Sequence, residues 1–390
     1  MAGDDLLIVA GEASGDLHGA RLLTALRQRV PSIRAFGLAG DELREAGTEA
    51  VADASEIAVV GIAEVLKILP RAREIFAQLL EEAEARGAKA AVLIDSPEFN
   101  LRMARELSER GVRVLYYVSP QVWAWRKGRI RQIVRYIDTM LVLFPFEEPF
   151  YRSHGVEVVH VGHPLVDEVP ELEHAWDHRP PSSEVPVRVV LLPGSRNSEV
   201  RALLPRMRGA VEELADKLAR DEEASARALE VRLIQAPGVA PETFDALLDG
   251  CRVDIERVPK GRRYEVIADS HLALCASGTA TVEVGLLGTP MLVLYRLKWS
   301  SYWLGKLLID LPHVCMVNLV LEKRVVPEMI QRQAEPGPVS DEAMALLRDP
   351  DRIDEMRRDL QGLRGALGSS GASERAAEAI ARRLADLGVG

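Results

Sequence analysis

Residues 6–16 read LLIVAGEASGD, and the first half of the chain can be understood from them. Five consecutive apolar residues, 6–10, stop at Gly11. An unbroken apolar run with no polar alternation predicts a strand buried on both faces. Gly11 to Gly15 predict a turn, and Leu22, Leu23 and Leu26 predict a helix behind it. The same unit recurs downstream. AAVLID at 90–95 is followed by a loop, SPEFN, and a helix from about 101; further runs are VRVLYYV at 112–118 and TMLVLF at 139–144. Buried strands alternating with amphipathic helices predict a parallel sheet covered on both faces.

Residues 163–186 break this pattern with five prolines, many charges and little periodicity. They predict a domain boundary, with a linker at 166–186. The pattern restarts at 187–192 (VRVVLL), which runs through a turn into a helix from about 198 carrying Val200, Leu203, Leu204, Met207, Val211, Leu214 and Leu218. Strands are expected again at 231–236, 271–276 and 291–295. The end of the chain, 373–388, predicts an amphipathic helix with Ser373 as N-cap and Ala376, Ile380, Leu384 and Leu387 on one face. The expected fold is α/β: two doubly wound Rossmann-like domains facing across a cleft. They span 1–165 and 187–365, with the 366–390 segment packing back on the first.

Composition narrows the function. The 390 residues are 47% hydrophobic and 28% charged, with 59 acids against 49 bases, a formal charge of −10. Such a surface repels phosphate backbones, so nucleic-acid binding is not expected. Cys251, Cys275 and Cys315 lie far apart with no CxxC pair, which suits a reducing compartment. The N-terminal stretch has no basic region before its apolar run and is not read as a signal peptide. No apolar run approaches the ~20 residues of a spanning helix.

In open α/β sheets ligands sit beyond the carboxyl ends of the strands, which directs attention to a few loops. Ser277-Gly278-Thr279-Ala280-Thr281-Val282-Glu283 follows a strand and opens a helix. Small residues there let a phosphate approach backbone N–H groups at a positive helix end, and Glu283 is placed to accept from a ribose diol. An ordinary strand–helix turn accounts for the same residues equally well. Pro193-Gly194-Ser195-Arg196 is a second such turn, where Arg196 offers a planar cation to a diphosphate or simply pairs with Glu199. No GxxxxGK[ST] or GxGxxG motif is present. The lone DxD, Asp349-Pro350-Asp351, reads as surface, and His174 with His178 falls in the proline-rich linker without a third ligand, so no metal is expected. Asp95 ends a buried strand, where a carboxylate acts either as a general base or as a helix cap. Glu12 holds the same place after the first strand. Trp123, Trp125, Arg126, Lys127, Arg129, Arg131 and Arg135 form a basic, aromatic cluster suited to an interface or anionic lipid, or else a solvated helix face. The stretches 59–69 (VVGIAEVLKIL) and 299–308 (WSSYWLGKLL) are unusually apolar.

Taken in order, GEASGD at 11–16, VSPQVWAWR at 118–126, FPFE at 144–147, VGHPL at 161–165, LPGSR at 192–196, ASGTATVE at 276–283 and PEMIQ at 327–331 resemble the lipid-A-disaccharide synthase family of GT-B glycosyltransferases. The resemblance runs from about residue 6 to 331. It implies transfer from UDP-2,3-diacylglucosamine to 2,3-diacylglucosamine 1-phosphate, giving the β-1,6-linked disaccharide 1-phosphate and UDP with inversion and without a cofactor. It also implies a cytoplasmic enzyme, peripheral on the inner face of the cytoplasmic membrane, and is compatible with a homodimer. The family's IDAPDFN motif falls on Ile94 to Asn100, which places its catalytic base on Asp95 and replaces its second Asp by Glu98. The early Glu falls on Glu12. Donor binding is implied for Gly194, Ser195, Arg196, Ser277, Gly278, Thr279, Ala280, Thr281, Glu283 and Asn318, the last in an altered Met316-Val317-Asn318 context. Trp123, Trp125, Arg126, Lys127, Arg129 and Arg131 are assigned to acceptor or membrane. Rival readings are a UDP-sugar epimerase or peptidoglycan glycosyltransferase of the same architecture, and a non-catalytic lipid or nucleotide-sugar binding protein.

Overall fold

The computed structural model describes residues 4–57, 62–123, 127–172, 186–220, 228–236, 238–296 and 313–389, with backbone alone at 62–68, 127 and 260. The expectations for Trp125, Arg126, His174, His178, most of the linker and the 299–308 stretch lie outside the described residues, as do residues 59–61 and the side chains of 62–68. The chain divides into two units, residues 1–167 with 367–390, and residues 168–366.

The first unit holds seven parallel strands among the described residues: β1 (Asp5–Ala10), β2 (Arg34–Ala39), β3 (Glu49–Asp53), β4 (Ala90–Ile94), β5 (Arg113–Tyr117), β6 (Thr139–Val142) and β7 (Val158–His160). Their order is 3-2-1-4-5-6-7. Along β1, residues alternate between two buried faces. Leu7 and Val9 pack with Phe36, Leu38, Leu93 and Tyr116 on one side. Leu6, Ile8 and Ala10 pack with Val92, Ile94 and Leu115 on the other. This double burial is the reason an unbroken apolar run reads as a central parallel strand. The second face is closed by helices Ala13–Arg29 and Ala372–Asp386, the latter through Ala376, Ala377, Ile380 and Leu384.

The second unit holds six parallel strands among the described residues: β8 (Val187–Leu192), β9 (Leu229–Ile234), β10 (Ile255–Val258), β11 (Leu272–Ala276), β12 (Met291–Tyr295) and β13 (Glu328–Ile330), in the order 10-9-8-11-12-13. Helix Asn197–Arg220 follows β8 and buries Val200, Leu203, Leu204, Met207, Val211, Leu214 and Leu218.

Two local expectations are corrected. SPEFN is not a loop, because helix Pro97–Glu109 starts inside it. Proline at the first helical position is pre-set for the helix and lacks only an N–H that would have no partner there. Ser373 is not the N-cap of the last helix. Gly371 is, in the left-handed region at φ 92°, and Asp167 accepts from the N–H groups of Gly371 (2.8 Å) and Ala372 (3.2 Å). A carboxylate from elsewhere in the chain thus does the work expected of a local hydroxyl.

Candidate active site

Both sheets reverse direction at their middle. In the first unit the chain leaves β1 for β2 and β3, then returns to place β4 on the other flank of β1; β8 and β11 repeat this in the second. Ligands of such sheets sit outside the carboxyl ends at that switch point. The four turns found there are 11–16, 95–100, 193–196 and 277–283.

Asp95 leaves β4 in a strained conformation. Its φ is 48° and that of Ser96 is 44°, a left-handed pair without glycine. Such residues cost of order 1–3 kcal/mol each and persist only where their surroundings fix them. Here the Asp95 N–H donates to Tyr117 O (3.0 Å), while Asp95 O accepts from Tyr116 Oη (2.5 Å) and Asn100 Nδ2 (2.9 Å). Asn100 is fully buried and also donates to Ile94 O at 3.0 Å. Gly11 makes room for the turn, since a Cβ there would lie 2.9 Å from Ser96 Oγ. The Asp95 carboxylate is left half-buried at the strand end, and Glu12 stands exposed at the start of helix Ala13–Arg29. Asp16, from the same motif as Glu12, is committed to the fold: it accepts from the N–H groups of Gly40 (2.7 Å) and Glu42 (2.9 Å).

The loop after β5 is pinned from one helix. Val118, a β-branched residue, sits at φ 64°. Glu147 and Tyr151 lie one turn apart on helix Glu147–Ser153 and are both buried. Glu147 accepts from Ser119 Oγ, from Trp123 Nε1 (3.1 Å) and from the Phe144 N–H (3.0 Å). Tyr151 Oη donates to Pro120 O at 3.0 Å. Burial pushes the Glu147 carboxyl up to about 7 although these hydrogen bonds pull the other way. The Trp123 indole is therefore anchored within the unit, edge-on to Phe146. Arg129 is mostly buried and pairs with Glu98, whereas Arg131 and Arg135 are exposed.

In the second unit the two phosphate-type turns differ. At Pro193–Arg196, Gly194 has φ 117°, and the Glu199 carboxylate accepts from the N–H groups of Ser195 (2.9 Å) and Arg196 (3.3 Å). Arg196 itself is exposed. At the other turn, the space over Gly278 is open to 4 Å and Thr279 is exposed. Ser277 Oγ donates to Val314 O (3.1 Å) and Thr281 Oγ1 to Gly278 O (2.7 Å), bonds that shape the turn. Glu283 is buried and ion-paired with Arg263.

The comparisons with known proteins fall on this frame. The family model of lipid-A-disaccharide synthetase matches residues 6–382. Curated lipid-A-disaccharide synthases from Myxococcus xanthus and Syntrophus aciditrophicus are each 41% identical, over 97% of this chain and 97% of the relative for the first, and 95% and 96% for the second. The chain belongs to the lipid-A-disaccharide synthase family. It is a disaccharide-forming glycosyltransferase. Among solved structures, a putative UDP-N-acetylglucosamine 2-epimerase from Listeria monocytogenes (TM-score 0.61, 12% identity, 97% and 95% coverage) shares the fold. So does MurG from Acinetobacter baumannii (TM-score 0.57, 12% identity, 98% and 99% coverage). At that identity they speak for the architecture alone, and the epimerase and peptidoglycan readings are not favoured.

At two of the expected donor positions the side chain is turned into the fold. Asn318 is fully buried: Nδ2 donates to Val326 O and Glu328 Oε1, and Oδ1 accepts from the Val325 and Val326 N–H groups. With its amide committed to the fold, its side chain shapes its loop. Thr281 is fully buried and its hydroxyl donates inward. Four residues outside the expected set matter: Asn100 behind Asp95, Glu147 behind Trp123, Glu199 inside the PGSR turn, and Arg263 against Glu283. The FPFE motif already contained Glu147, and its acid among aromatics was the available signal.

Proposed function

We propose that this synthase transfers the sugar of UDP-2,3-diacylglucosamine to the 6-hydroxyl of 2,3-diacylglucosamine 1-phosphate, with inversion from an α-linked donor to a β-linkage. Asp95 takes the hydroxyl proton, the acceptor oxygen bonds the anomeric carbon, and the bond to UDP breaks with its electron pair leaving on the diphosphate. Glu12 stands beside it as the second acid of this end of the sheet. The diphosphate is assigned to the first turn at 277–280 and to the Arg196 guanidinium, and the ribose diol to Glu283. The PGSR backbone is not needed for this, since Glu199 already occupies its N–H groups. Fixed N–H dipoles and a cation stabilise the leaving UDP without reorganising.

The observation that carries this reading is the placement of Asp95, held left-handed at the carboxyl end of a central strand in a chain whose residues 6–382 match the family. Contact with the membrane is proposed to be peripheral, through the 59–69 and 299–308 stretches with Trp125, Arg126, Lys127 and Arg131. No helix among the described residues is long and apolar enough to cross a membrane. Mixing the protein with both acylated sugars and following UDP and disaccharide tests the reading, and absence of both products overturns it.

A further inference from the structure

We infer that the first unit carries an anion subsite for a phosphate monoester, built from Arg102 and Arg129, which selects an acceptor bearing that group. The inference rests on the reading of Asp95 as the base. A groove of about 450 Å³ opens immediately beyond the Asp95 turn, lined by Glu98, Leu101, Arg102, Arg129 and Gln132. One wall is the first turns of helix Pro97–Glu109, which begins two residues after Asp95. The other is the 128–132 segment that starts helix Ile130–Tyr136.

Two guanidinium groups line this groove in a protein of net charge −10. Their states differ. Arg129 is fixed: its side chain is only 17% exposed and pairs with Glu98. Arg102 lies one helical turn beyond Glu98 on the same face, is exposed, and makes no ion pair with a described residue. A rigid cation at the back and an adaptable one at the rim suit a dianionic group, because planar guanidinium donors match phosphate oxygens in pairs. Glu98 then serves as a place-holding counterion for Arg129, displaced or shared when the phosphate enters.

The geometry also favours acceptor over donor. The groove adjoins the turn proposed to take a proton from the acceptor, while both diphosphate-type turns belong to the other unit. An acceptor that reacts at its 6-hydroxyl and carries phosphate at carbon 1 presents the two groups at opposite ends of one sugar ring. An anion site on the helix that follows the base, with Arg102 one turn beyond Glu98, matches that arrangement. The same residues explain why the side chain of Arg129 is turned into the groove while Arg131 is exposed.

The test is equilibrium binding in neutral detergent micelles, comparing 2,3-diacylglucosamine 1-phosphate with the same sugar after removal of the phosphate. Wild type, Arg102→Ala, Arg129→Ala and Arg102→Lys are measured. Wild type should prefer the phosphorylated sugar, and each Ala variant should lose about tenfold to a hundredfold of affinity for it while binding the dephosphorylated sugar normally. Arg102→Lys should recover part of the loss, since charge remains and the fork is gone. Equal binding of both sugars by wild type overturns the subsite, as does an equal loss on both sugars in the Ala variants. Disaccharide formation is assayed separately. If discrimination follows the two arginines while no disaccharide forms, the subsite stands and the proposed reaction falls.

Discussion

Replacing Glu147 by Gln isolates a buried charge whose cost rises with pH. The residue is 2% exposed, and burial moves its carboxyl from 4.5 to about 7. The folded protein therefore holds a proton that the unfolded chain has already released at neutral pH. That contribution to stability is fully present below pH 4.5 and is lost as pH rises through 7. At about 1.4 kcal/mol per pKa unit, the shift corresponds to about 3 kcal/mol, of which about 2 falls between about pH 5.5 and 8. His18 and His163 act with the opposite sign. Burial lowers them from 6.5 to about 4 and about 3, so they withdraw stability as pH falls below 6.5. Subtracting the Glu147→Gln curve from wild type cancels the histidines and leaves the carboxyl. Urea unfolding across this pH range should show the wild-type advantage over Gln shrinking by about 2 kcal/mol toward alkaline pH. A difference independent of pH would refute the buried-charge reasoning.

Asn100→Leu should cost about 2–4 kcal/mol, because the Ile94 and Asp95 carbonyls each lose the buried Asn100 donor, and turnover should fall with Asp95 still present; unfolding and kinetics check both. Arg196→Ala should weaken UDP binding about tenfold to a hundredfold in calorimetry with an unchanged unfolding midpoint, since the side chain is exposed. Glu283→Ala should weaken UDP binding and also lower stability by about 3 kcal/mol, because the partly buried Arg263 is left without its partner. Replacing Arg126, Lys127 and Arg131 by Ser should remove most salt-sensitive co-sedimentation with anionic vesicles, each base near such a surface being worth about 1 kcal/mol.

The central strands were legible because both their faces are buried. β1, β4, β5, β6, β8, β9, β11 and β12 announce themselves as apolar runs. Five strands are absent from the sequence reading, and four of them, β3, β7, β10 and β13, are sheet edges; the fifth is β2. The edge strands are short, and β3 (EAVAD) and β10 (IERV) mix charges into the run because an edge is only partly covered. β2 is internal yet interrupted by Gly37, which is required there: a Cβ on Gly37 would lie 2.0 Å from Ile8 O. The candidate site followed the same division. The positions of Asp95, Arg196 and the 277–281 turn beyond the carboxyl ends of central strands were legible from topology. The partners of Glu147, Arg263 and Asn318 were not, because Ser119, Trp123 and Glu283 lie 20 or more residues from their partners and the loop that closes on Asn318 carries no sequence signal of its own. Asn318 illustrates this: an Asn in a motif reads as a ligand contact until Val325, Val326 and Glu328 are seen to consume its amide.

Asp95→Asn is the most direct test of the account. Asn keeps the shape of the side chain and removes its basicity, and the backbone contacts that hold the turn come from Tyr116, Tyr117 and Asn100. With UDP-2,3-diacylglucosamine and 2,3-diacylglucosamine 1-phosphate supplied together, disaccharide formation should fall by about two orders of magnitude or more, while UDP affinity stays at the wild-type value. Turnover close to wild type in Asp95→Asn would contradict the account and place the general base elsewhere.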